Sequence, residues 1–165
     1  MNAGLLFDNE FASILSMIDS HTEDDLTRPI RDDGWSAFQI LSHLAISSRG
    51  LLSLAKAQYR AGIGGQEVPN PADEFDVDRW NVEQVALWAE RSLDDVRTAL
   101  AETQQRLHAF IAELSEADLE LPARFVTGKP MKLAQLLGAI PYHLGIHRQE
   151  IERGLAGEIA PSIAH

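Results

Sequence analysis

Six histidines stand in the chain, and two of them are four residues apart in the stretch 142–151, YHLGIHRQEI. Four residues is about one helical turn, so His143 and His147 share a helix face, and two imidazoles so placed chelate a divalent ion without strain. Random scatter of six histidines gives roughly 0.2 such pairs in a chain of this length, so the neighbours must decide. The stripe through His143 carries Leu136, Ala139, Ile140, His147, Glu150 and Gly154 beside an apolar row of Leu133, Leu137, Leu144, Ile151 and Leu155. That row turns the pair toward the core or its edge. The glutamate of an HExxH zinc-protease helix is missing, as are the paired Glu and ExxH motifs of di-iron bundles. One ion, not two, is the chemistry such a pattern permits.

A third ligand would strengthen the case, and His43 is the candidate. Its stripe runs through Ser36, Ile40, Ser47, Gly50 and Leu54, in which the small Ser47 and Gly50 leave room for a pocket. One histidine from one helix and two from a facing one is a sound geometry inside a bundle. The residues alone leave a second reading open, in which each histidine is a packing or boundary residue satisfied by one hydrogen bond. Glu150, one turn past His147, is a fourth ligand, an orienting partner or a general base in the first reading. In the second it is a solvated residue pairing with Arg148 or Arg153. Trp35 and Trp88 read as core residues. Trp80, at the end of a loop, is placed with Ser47 and Asn81 as a candidate substrate-pocket residue. His21, His108 and His165 carry no comparable context.

The elements that must position these groups are helices. Apolar periodicity marks a first helix over about 5–18, with Leu6, Ile14, Leu15 and Ile18 for one face. A second starts at WSAFQILSHL, where Ser36 caps, Gln39 completes a capping box, and Trp35 can staple onto Ile40. The stretch 60–77, RAGIGGQEVPNPADEFDV, is too rich in Gly, Pro and acids to sustain a helix and reads as the longest loop and a candidate lid. A third helix starts near Asp78 and breaks before a capping box at Ser92 and Asp95, with Leu93, Val96, Leu100, Leu107, Ile111 and Leu114 inward. The fourth follows FVTGKP and runs over about 130–155, with an expected kink at Pro141. No stretch alternates long enough for a strand. The expectation is an all-α four-helix bundle, a single domain over residues 1–165 with a long loop between helices two and three. A faint echo, TEDDLTRP before helix two and SEADLELP before helix four, suggests paired halves.

Bulk properties exclude several classes. With 14 Lys and Arg against 25 Asp and Glu, a net charge of -11 repels phosphate backbones and acidic lipid, so neither nucleic acid nor membrane is expected as partner. The chain has no cysteine, so any thiol in its chemistry is brought in. Its start lacks a basic region followed by a long apolar one, and no apolar run reaches the ~20 residues of a membrane span, giving a cytoplasmic expectation.

Two segments resemble a known family. DDGWSAFQILSHL resembles the GWS-x-x-x-x-L-x-HL segment of the DinB/YfiT-like metalloenzyme superfamily, and YHLGIHRQEI resembles its later HxxxH segment, with DRWNVEQVALWAERSLDDV similar to its middle helix. The resemblance spans about residues 8–155. It implies a four-helix bundle, often dimeric, with an ion held by three histidines, a pattern that falls on His43, His143 and His147. The superfamily includes thiol-dependent S-transferases, a mycothiol-dependent maleylpyruvate isomerase and DNA-damage-induced proteins without known activity.

The function expected is metal-dependent catalysis on a small molecule. Three neutral imidazoles leave coordination positions for water or substrate, and the ion would activate a thiol or water or polarise a carbonyl. Zinc or nickel is the first expectation, with iron and manganese accepting the same ligands. A low-molecular-weight thiol as co-substrate is implied by the resemblance, giving a transferase or isomerase. The rivals are a metal-dependent hydrolase and a non-catalytic protein that binds a small molecule or toxin or acts in a stress response. A homodimer is compatible, because bundle helices one and four often keep a leftover apolar strip.

Overall fold

The computed structural model describes residues 3–73 and 76–161, with side chains from residue 8 onward. Four long helices make the bundle: α1 (Ala3–Ser20), α3 (Ala37–Ile63), α5 (Leu93–Glu113) and α7 (Leu133–Leu155). Shorter pieces connect them: α2 (Glu23–Thr27), α4 (Val77–Trp88), α6 (Glu116–Leu119) and a ribbon of β1 (Pro122–Arg124) and β2 (Pro130–Lys132). Both α1 and α3 pack against α5 and α7, so the order round the bundle is α1, α5, α3, α7. Phe11 and Ile14 of α1, Leu41 and Leu44 of α3, Leu100 and Leu107 of α5, and Leu136 and Ile140 of α7 are buried between them. Each such side chain contributes roughly 1.5–3 kcal/mol by leaving water. Among the described residues no helix is long and apolar enough to cross a membrane.

Local sequence set several boundaries. In α1, Ile14 and Ile18 are buried and Leu15 is half-buried, while the Leu6 side chain falls outside the described residues. At the start of α3, Ser36 Oγ accepts from the Gln39 N–H at 3.2 Å and Gln39 Oε1 accepts from the Ser36 N–H at 2.9 Å. The same reciprocal box at Ser92 and Asp95 starts α5 after the break that follows Trp88. Val96, Leu100 and Leu107 are buried on its inner stripe, with Leu93, Ile111 and Leu114 partly buried beside them.

Two boundaries differ from the sequence expectation, each for a tertiary reason. Helix α3 continues through Arg60–Ile63, where a loop was expected. Ala61 is buried there, and Leu121 lies against Gly62, 3.3 Å from where a Cβ would stand. The helix ends instead at Gly64 and Gly65, the latter at φ +64°, so the loop is shorter and contains a 3₁₀ turn at Pro71–Asp73. Residues 130–132, expected as helix, form β2, pairing antiparallel as Pro122↔Lys132, Ala123↔Met131 and Arg124↔Pro130. Only Ala123 of β1 is buried, and three-residue strands are too short for alternation to register. The ribbon is fastened from α3, whose Gln58 amide donates to the Arg124 carbonyl at 2.9 Å and accepts its N–H at 2.6 Å. Helix α7 runs from Leu133 to Leu155 with Pro141 inside it.

The two echoed segments are structural counterparts. Thr22 with Asp25, and Ser115 with Asp118, each close a capping box on a short helix. The proline that follows pairs with the N-cap residue of a histidine-bearing helix, Pro29 with Ser36 and Pro122 with Lys132.

Candidate metal centre

Three histidines meet between α3 and α7, the two helices in most extensive contact. His43 lies two turns into α3, and His143 and His147 lie on the facing stripe of α7, Pro141 not having turned them away. His43 and His147 are almost fully buried and His143 is half-buried. Their ligand nitrogens all lie within 4.8 Å of one another, and His43 Nε2 is 3.1 Å from His143 Nε2. Two imidazoles on one tetrahedral ion, with bonds of about 2.0–2.1 Å, hold their nitrogens roughly 3.3 Å apart. The His43–His143 pair already has that spacing, and the third imidazole is within 4.8 Å of both, so the cluster suits a small divalent cation.

For His143 and His147, neighbouring groups engage Nδ1 and leave Nε2 to the cluster. Ser47 Oγ–H donates to the His43 carbonyl at 2.7 Å, one turn back on α3. Its oxygen is left to accept a long contact from His143 Nδ1, at 3.4 Å. With Nδ1 as donor in that contact, Nε2 of His143 is the nitrogen turned to His43. His147 Nδ1 donates to Glu150 Oε2 at 2.6 Å, leaving Nε2 for the cluster.

Glu150 is buried and is not a solvated partner of Arg148 or Arg153. Arg148 pairs with Glu10 and Glu152, and Arg153 with Glu158. Glu150 Oε1 lies 3.5 Å from Arg31 Nε. Neither atom has an aligned hydrogen bond, so the pair is held by charge, not by a directed bond. The Arg31 side chain is itself only 5% exposed. It donates to Asp33 at 2.5 Å, and its guanidinium sits 4.7 Å from the centre of the Trp35 ring. Trp35 in turn stands edge-on to His43, with ring centroids 6.2 Å apart. One arginine thus supports His147 through Glu150 and His43 through Trp35.

Sequence reasoning missed Arg31. It lies in a polar loop, RPIRDDG, where nothing marks it for burial. The cause is a bridge from the other end of the chain: Asp32 N–H donates to the Ala160 carbonyl and Ala160 N–H to the Ile30 carbonyl, both at 3.0 Å. The remaining histidines stand apart from the cluster. His21 bonds the Met17 carbonyl, His108 is exposed 3.5 Å from Asp8, and His165 lies outside the described residues.

A cavity of about 620 Å³ opens on the solvent side of the cluster, with His43, His143 and Ser47 in its wall. Glu150 and His147 do not line it and lie behind His43 and His143. Trp80 and Asn81 do line it, as do Phe125 and Val126 of the β-turn and Pro71 of the loop considered as a lid. Gly50 on the His43 stripe also lines the cavity, under the Trp80 ring, which a Cβ there would meet in ordinary contact at 3.6 Å. The partly buried Trp35 and Trp88 pack against the core. The Phe125, Val126 and Tyr142 contributions went unforeseen, because they depend on the ribbon and on the exposed face of α7.

The sequence profile of the DinB superfamily matches residues 6–151. Among solved structures, the fold is similar to YfiT from Bacillus subtilis, described as a probable metal-dependent hydrolase with an unusual four-helix bundle topology. The TM-score is 0.73 at 19% identity, over 92% of this chain and 83% of that one. It is also similar to the mycothiol-dependent maleylpyruvate isomerase, with a TM-score of 0.72 at 16% identity over 96% of this chain. This chain spans 60% of the isomerase. An uncharacterized protein from Clostridium difficile 630 aligns with a TM-score of 0.68 at 16% identity over 92% of both chains. Identities this low show a shared fold. No curated protein sequence matches the chain.

Proposed function

Because the chain belongs to the DinB superfamily, we propose that it is a metal-dependent enzyme acting on a small molecule held beside His43, His143 and His147. The observation that carries this is the placing of the cluster: of three converging imidazoles, His43 and His143 line a cavity, with His147 and an orienting carboxylate behind them. Structural metal sites are closed by four protein ligands, whereas a three-ligand site facing a cavity keeps a position for a reactant. Zinc or nickel suits an all-imidazole set best. When bound, the ion supplies Lewis acidity, lowering the pKa of a coordinated thiol or water.

The chain's own residues do the rest. Glu150 holds the His147 ring and its tautomer, and Ser47 does the same for His143. Arg31 balances the charge of Glu150 where water cannot. The apolar walls exclude bulk water from the nucleophile. We favour transfer or isomerisation using a low-molecular-weight thiol, which must be external because the chain has no cysteine. Hydrolysis by activated water is the second reading, supported by the description of YfiT. A non-catalytic small-molecule binder is the third. A cytoplasmic setting suits all three.

Elemental analysis of untagged protein beside His43→Ala and His147→Ala tests the reading. About one transition-metal ion per chain, lost in both variants, is expected. Wild-type protein that carries no metal and takes none up on titration overturns it.

A further inference from the structure

The cavity also restricts what can occupy it. Among the described residues that line it there is no Asp, Glu, Lys or Arg, although charged residues make up 24% of the chain and its net charge is -11. The wall away from the histidines is Val77, Trp80, Phe125, Val126, Leu51 and Ile146. Thr127 and Tyr142 add hydroxyls at its exposed edge, and one buried polar side chain interrupts it. Asn81 is 95% buried, being 5% exposed, and its amide hydrogen-bonds none of the described residues. With two donors and an acceptor left over, that amide is open to an occupant of the cavity, which would otherwise leave it unpaired on displacing solvent. Its neighbour Trp80 packs over Gly50, seven residues along α3 from His43, a rise of about 10 Å.

From this we infer the substrate class, an inference that rests on the enzyme reading above: the cavity takes a neutral, largely apolar molecule carrying one carbonyl, amide or hydroxyl group that pairs with Asn81, its reacting atom turned toward the histidines. A second charge on the occupant would be stranded against apolar walls with no counter-ion. Dicarboxylates are therefore not its ligands. A charged low-molecular-weight thiol enters sulfur first, with its polar part left in solvent, and the cavity holds the acceptor.

The test uses purified full-length protein and the neutral probe N-phenyl-1-naphthylamine, whose fluorescence rises in apolar surroundings. Wild-type protein is expected to take up the probe, and octanamide to displace it at concentrations about tenfold lower than octanedioate. Asn81→Leu is expected to keep probe binding while octanamide weakens about tenfold. Gly50→Leu, checked for native helicity by circular dichroism, fills the space under Trp80 and is expected to lose the probe. No uptake by wild type, equal competition by octanedioate, octanamide unaffected by Asn81→Leu, or full uptake by Gly50→Leu would each overturn the assignment. Metal content measured on the same preparations separates the two readings. A metal-loaded chain without probe uptake sinks only the substrate class. A metal-free chain that selects octanamide through Asn81 sinks only the metal enzyme.

Discussion

On the α7 side of the cavity, a buried carboxylate and guanidinium stand behind three imidazoles, of which His143 is half-buried, while on the α4 and ribbon side Val77, Trp80, Phe125 and Val126 offer no charge at all. Stability does not explain the first wall, since replacing a buried ion pair by apolar residues of similar volume is often neutral or stabilising. Glu150 and Arg31 are better understood as fixing ring positions. The second wall needs no such positioning, because apolar contact is non-directional. One wall is arranged to hold an ion to fine tolerance, the other to accept a shape.

The largest effect that would break this contrast is on the ligands. His147→Ala should lower metal affinity by at least about 100-fold with the helix content unchanged, read by competition with a chromophoric chelator. If it keeps its metal, the polar wall has some other purpose. Glu150→Gln sharpens the comparison, because it retains a hydrogen-bonding oxygen and removes only the charge. Metal affinity should fall about 10–100-fold, with cavity probe binding unaltered.

Arg31→Met removes the counter-charge and leaves Glu150 buried alone. Chemical denaturation should show a loss of about 3 kcal/mol in metal-free protein, less in metal-loaded protein, and less again when Glu150→Met is added. Equal losses in all three would mean that Arg31 matters only for packing. Gly154→Ala disturbs the seat of the same loop, since a Cβ would fall 2.5 Å from Ile30 Cβ. About 1–3 kcal/mol of stability should be lost, and a fully neutral result would show that the Ile30 loop yields freely.

The smallest effect lies outside both walls. Hydrogen bonds from the Ser92 and Ser115 N–H and O–H groups hold the carboxyls of Asp95 and Asp118 below the usual carboxylate range. A depressed folded-state pKa contributes stability that is present above the unfolded pKa and lost as pH falls through the folded one. Stability measured between neutral and strongly acid pH should therefore decline at the acid end, and Asp95→Asn should make that decline slightly shallower. The metal ligands should contribute nothing to that difference.

How much was legible depends on how local the cause was. The capping boxes at Ser36 and Ser92 fix helix starts within four residues, so those boundaries stood in the sequence. The helical stripe bearing Ser47 and Gly50 beside His43 was equally readable, because a 3.6-residue period is a property of consecutive residues. Helix α7 shows the opposite. Lys132 has no acceptor with which to cap, and only the reciprocal half of the box forms, through Gln135 Oε1 at 2.9 Å. The ribbon sets where this helix starts, and the ribbon is held by Gln58 from another helix.

By itself, then, the sequence determined four amphipathic helices, their main caps, one HxxxH pair facing inward, and a third histidine on a stripe with room beside it. Only the tertiary structure decided that His43 meets His143 across 100 residues of chain, that Arg31 is buried behind Glu150, and that Asn81 is the polar group in an apolar wall. Burial and convergence are properties of pairs of elements brought together by packing, and no periodicity within one element records which partner it will meet.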